Sequence, residues 1–105
     1  MKTIKLLQTC GACPEQYDAY IDGESIGYLR LRHGYFYAEY CDTQQKSIVV
    51  FNGNPLGDGS FDEEERDKWL RLACAEIVKA YNADKGVSAT CDDPLALLGY
   101  DMEID

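Results

Sequence analysis

Apolar and polar residues alternate with a period of two through the first half of the chain, the spacing of strands with one buried face. Ile4 to Thr9 reads as a short first strand, which Cys10-Gly11-Ala12-Cys13-Pro14 interrupts. Gln16 to Asp22 places Tyr17, Ala19 and Ile21 on one face, and Asp22-Gly23 is a strong hairpin signal. Ser25 to Arg32 and Tyr35 to Cys41 are the next two strands, and Lys46 to Asn52 is the last, rich in β-branched residues. With His33-Gly34 as the two central residues of a tight turn, Arg32 pairs with Tyr35, Leu31 with Phe36, Arg30 with Tyr37, Leu29 with Ala38 and Tyr28 with Glu39. Leu29, Leu31, Phe36, Ala38 and Tyr40 then share an apolar face, and Tyr28, Arg30, Arg32, Tyr35, Tyr37 and Glu39 share a polar aromatic one. A misplaced turn would mix the two sets.

The period then changes. Leu70, Ala73, Cys74, Ile77 and Tyr81 recur at helical spacing. Ser60 with Glu63 forms a capping box, Asp62 to Glu65 suit the positive end of the dipole, and Asn82 or Gly86 ends the helix. Near the end of the chain, Asp92 or Asp93 caps a short helical turn through Leu95–Leu98, stopped by Gly99. Strands first and one long helix after them predict an α+β fold: an antiparallel meander of four to five strands with helix 60–83 on the Leu29/Leu31/Phe36/Ala38/Tyr40 face. Residues 1–86 are read as a single domain and 87–105 as an acidic C-terminal extension.

Arg32-His33-Gly34 matches the catalytic tripeptide of histidine phosphatases. Those enzymes need a second histidine and a much larger domain, and His33 is the sole histidine here. The turn explains the tripeptide, since glycine accepts positive φ freely and histidine tolerates it. No enzyme is expected, and no Ser/His/Asp set can be assembled.

A chain of 105 residues builds one modest core. No apolar run is long enough to span a membrane, and the first residues lack a signal-peptide core, so a cytoplasmic protein is expected. The net charge is −9, and residues 87–105 supply five acids (Asp92, Asp93, Asp101, Glu103 and Asp105) with no base. That sign disfavours general affinity for nucleic acid and favours a basic partner.

Five cysteines without an export signal point to reduced thiols. Cys10 and Cys13 form a C-x-x-C pair, but a structural zinc commonly uses two such pairs, and a redox pair sits at a helix start. A tight turn is the preferred reading, with no metal and no cofactor implied; a small zinc-binding adaptor built on Cys10 and Cys13 stays open as an alternative. The carboxylates of 62–65 and 67 are explained by capping, and Gly57-Asp58-Gly59 lacks the Lys-Ser/Thr of a phosphate loop. The best candidate site is the face bearing Tyr28, Arg30, Arg32, Tyr35 and Tyr37, because tyrosine and arginine dominate binding hot spots. Asp92, Asp93, Asp101 and Glu103 join it as charges that steer a partner.

The stretches QTCGACPEQYDAYIDG, IGYLRLRHGYFYAEY and GDGSFDEEERDKWL resemble small proteins of phages, prophages and mobile elements of Gram-positive gut bacteria. The resemblance spans roughly residues 6–82 and transfers no functional residue. It implies a stoichiometric inhibitor of host defence, including the anti-CRISPR type that occupies a nucleic-acid channel. The expected function is therefore a non-enzymatic binding protein that blocks a host defence or nucleic-acid-handling protein with a basic surface. The alternatives are the zinc-binding adaptor on Cys10 and Cys13 and a nucleotide or nucleic-acid binder that uses Arg30 and Arg32 with base stacking on the Tyr/Arg face; a homodimer is also allowed.

Overall fold

The computed structural model describes residues 2–11, 15–42, 44, 46–55, 61–84, 86 and 95–104. Five strands follow one another as a meander: β1 (Lys2–Gly11), β2 (Glu15–Ile21), β3 (Glu24–Arg32), β4 (Tyr35–Cys41) and β5 (Ser47–Gly53). A single long helix, α1 (Glu63–Asp84), then leads to a 3₁₀ turn at Leu95–Leu98 and a sixth strand, β6 (Tyr100–Ile104). The sheet order is β5-β4-β3-β2-β1-β6, antiparallel except for the parallel β1–β6 pair. The fold is α+β with one more strand than the sequence pattern predicts.

Turn chemistry fixes the register. Asp22 and His33 have φ of 53° and 54°, and the glycines after them, Gly23 and Gly34, have 78° and 73°. Both hairpins thus turn through two left-handed residues, the geometry that matches strand twist. The β3–β4 pairs are those the alternation predicts, from Tyr28↔Glu39 to Arg32↔Tyr35.

The core lies between one sheet face and α1. Leu29, Leu31, Phe36 and Ala38 are fully buried, as are Leu70, Ala73, Cys74 and Ile77 opposite them. Tyr81, expected on the same stripe, is only half-buried at its margin. Close approach of the helix depends on Gly27, where a Cβ would sit 2.8 Å from the Glu39 carbonyl and 3.3 Å from Ile77 Cδ1. Beside the first turn of α1, Phe36 meets Phe61 edge-on at 4.9 Å, and Trp69 packs on Phe36 and Phe51 at 6.2 and 6.0 Å.

Two boundaries differ from the sequence reading. The helix opens at Glu63, with the Asp62 carbonyl accepting from the Glu65 and Arg66 amides at 3.0 Å each, so Asp62 holds the cap position. Ser60 lies outside the described residues. Phe61 stays out of the helix because its N–H is donated to Glu15 and its carbonyl accepts from Arg66. At the other end, residues 100–104 are a strand of the sheet, with Tyr100 and Met102 buried. Tyr100–Ile104 pairs with Lys2–Leu6, and the Lys2 amide donates to the Gly99 carbonyl at 2.9 Å.

Candidate functional site

Because α1 covers one sheet face, every second residue of the strands is left on the other. The register sorts that outer face into rows. Leu7, Asp18, Tyr28, Glu39 and Val49 form one row across β1 to β5. Gln16, Arg30, Tyr37 and Asn52 form the next, and Arg32 with Tyr35 the last, beside the His33-Gly34 turn. The structure therefore brings together all five Tyr and Arg residues singled out by alternation.

Their rings touch. Tyr35 and Tyr37 stack with centroids 5.9 Å apart and planes 27° from parallel, and Tyr28 meets Tyr37 at 6.3 Å. The Tyr28 hydroxyl donates to Gln16 Oε1 at 2.9 Å. Burial raises the Tyr28 pKa first, the neighbouring Tyr37 adds to the rise, and Arg30 opposes it. Arg32 Nε donates to His33 Nε2 at 3.1 Å, and Asn54 Nδ2 donates to the Gly34 carbonyl at 3.2 Å, tying the turn to the end of β5. Arg30 Nε is buried without a hydrogen-bond partner. The described cation–π contact lies elsewhere, Lys68 over Trp69 at 5.9 Å.

Asp101 and Glu103 pair with Thr3 and Lys5, which puts them on this same outer face. They stand three strands from β3, a sideways offset of roughly 14 Å. They lie opposite Thr3 and Lys5, whereas the row of Arg30 meets β1 at Cys10, so roughly 16 Å or more along the strands adds to the separation. A shallow depression of about 700 Å³ opens there, between Glu103, Lys5, Leu7 and Tyr20. Asp92 and Asp93 lie outside the described residues, as does Cys13. Among the described residues no group of three or more His, Cys, Asp and Glu side chains is placed to hold a metal. Cys74 is a core residue, its thiol pushed up to about 12 by burial.

No protein-family model matches the chain, and neither a curated protein nor a solved structure matches it. The residues of the site are left to carry the argument.

One cluster escaped the sequence reading. Glu15 is 1% exposed, yet charged side chains are almost never buried without partners. It accepts from the Tyr17 hydroxyl, from the Phe61 amide at 2.9 Å, and from Arg66 Nε and Nη2 at 3.0 and 3.3 Å. Burial raises the Tyr17 phenol pKa, and the Glu15 carboxylate raises it further. The cluster pins the start of β2 to the first turn of α1. Its signal was present: Glu15 continues the Tyr17, Ala19, Ile21 alternation onto the core face.

Proposed function

We propose that the chain is a non-enzymatic inhibitor from a phage or other mobile element, which blocks a host defence or nucleic-acid-handling protein in the host cytoplasm. The observation that carries this reading is the asymmetry of the sheet. One face is sealed by α1, and the other leaves Tyr28, Arg30, Arg32, Tyr35 and Tyr37 uncovered, with Tyr35 45% exposed. Such side chains give large, planar contact area at low conformational cost. Leu7 and Val49, 41% and 53% exposed, extend the surface along the row of Tyr28. Asp101 and Glu103 on the same face supply the charges for a partner with a basic surface. No described helix is long and apolar enough to cross a membrane.

The test is to express the chain in a Gram-positive host that carries a CRISPR-type defence and to challenge it with a targeted phage. Plating efficiency should rise toward that of a defence-free host. Interference at full strength, with the protein abundant and folded, would contradict the proposal.

A further inference from the structure

The two arginines of the outer face differ from the other two of the chain: Arg66 is paired with Glu15 and Arg71 with Asp67. Among the described residues no carboxylate lies within ion-pair distance of Arg30 or Arg32, although the chain has 19 acidic residues to 10 basic ones. Register explains this. Arg30 is flanked by Gln16 and Tyr37, and Arg32 by Tyr35. Asp18 and Glu39 are diagonal to Arg30, one row along beside Tyr28, and form no ion pair with it, while Asp101 and Glu103 lie on β6. The two arginines of the face lie toward the His33-Gly34 turn, and its acids lie farther along the strands and on β6, where Lys5 stands opposite Glu103. At the cationic corner Arg30 Nε is a buried donor with no acceptor, and two stacked tyrosines adjoin it.

We infer that this corner docks an acidic segment of the protein partner, with a carboxylate held by Arg30 and Arg32 and an apolar or aromatic neighbour laid on Tyr35 and Tyr37. The inference rests on the reading of this face as the binding surface and adds the chemistry of what it binds. Guanidinium groups take carboxylates in paired, planar hydrogen bonds, which fixes orientation. The face asks for a ligand whose charge alternates in sign: acid over the arginines, base toward Asp18, Asp101 and Glu103. A peptide can do that. A single-stranded nucleic acid offers phosphate and base to the same side chains, but it carries a negative charge at every nucleotide and meets those acids as it continues across the sheet.

The experiment uses the full chain labelled with ¹⁵N and follows the arginine Nε–Hε and backbone resonances. The probes are a short capped peptide alternating glutamate with phenylalanine, its glutamine counterpart, and a short oligothymidylate. The glutamate peptide should shift the Arg30 and Arg32 side-chain signals and the Tyr35 and Tyr37 amides saturably, leaving Lys5 and Tyr20 in place. The glutamine peptide should bind roughly tenfold more weakly, as should the glutamate peptide to an Arg30→Gln/Arg32→Gln variant. Equal binding of both peptides, shifts centred on Lys5 and Tyr20, no shift at all, or preference for the oligothymidylate would each overturn the inference. The two proposals fail separately. A chain that binds the acidic peptide but does not relieve phage interference refutes only the inhibitor reading, and one that relieves interference while ignoring the peptide refutes only this inference.

Discussion

Glu15 shows how one residue can decide where a helix begins. Its carboxylate holds Arg66 and the Phe61 amide, so Phe61 is kept out of α1 and turned into the core against Phe36. Replacing Glu15 by Gln leaves Arg66 without its counter-charge and should destabilise the fold by about 2–4 kcal/mol in urea unfolding. An unchanged unfolding midpoint would show that the pair contributes nothing net. A second buried group sets a pH limit. In the unfolded chain the Cys74 thiol ionises near its ordinary 9.0, and in the fold only at about 12. Between those values the unfolded state has released a proton that the folded state keeps, so this stability is complete below pH 9.0 and is lost as pH rises toward 12. Burial and Asp84 likewise raise Tyr40, and burial raises Tyr17 and Tyr100, adding to the loss above their ordinary 10.0. Thermal melts should be flat in pH to about 9 and then decline. A Cys74→Ala variant, less stable overall, should delay the onset of that decline to about 10; an identical profile would put the effect elsewhere.

At the scale of elements, the contact between β5 and α1 can be read by fluorescence. Gly53 faces Trp69, and a Cβ there would fall 2.5 Å from the indole. Gly53→Ala should push the sole tryptophan outward, shift its emission to the red and cost about 1–3 kcal/mol of stability. Emission and stability like those of the native chain would mean that the ring is not seated as described. The elements also show which parts of the fold the sequence makes legible. The β3–β4 hairpin is legible because two local signals agree, strict alternation and a His-Gly pair suited to a left-handed turn. The start of α1 is not, because Ser60 and Glu63 satisfy the capping pattern locally while a partner 46 residues away claims Phe61. β6 is hidden for a different reason. Tyr100–Ile104 alternates like any strand, but its acids read as part of a charged tail, and its pairing with β1 spans almost the whole chain. The Tyr/Arg cluster is legible from alternation alone, whereas the missing carboxylates around Arg30 and Arg32 appear only once the rows across strands are set.

On the scale of the whole molecule, strand β6 changes how the acidic end can be tested. Deleting residues 91–105 to remove charge would also uncover Ile4 and Leu6, which lie beside Met102 and Ile104 in the sheet. The substitutions Asp101→Asn and Glu103→Gln remove the charge and leave the strand. With a basic partner, that pair should slow association and flatten its salt dependence, with dissociation unchanged, in surface plasmon resonance at two ionic strengths. Faster dissociation with unaltered association would make these acids direct contacts instead. The molecule as a whole is a sheet with one sealed face and one open face, and the central claim is that the open face is the one that acts. The direct measurement is phage plating efficiency in the defended host for two variants side by side. Tyr35→Ala/Tyr37→Ala alters the open face, and Asp67→Ala/Arg71→Ala alters the outer side of α1, where that pair is an exposed ion pair of little consequence for stability. The tyrosine variant should lose the inhibition while remaining folded, and the helix variant should keep it. Inhibition retained by the tyrosine variant and lost by the helix variant would contradict the account.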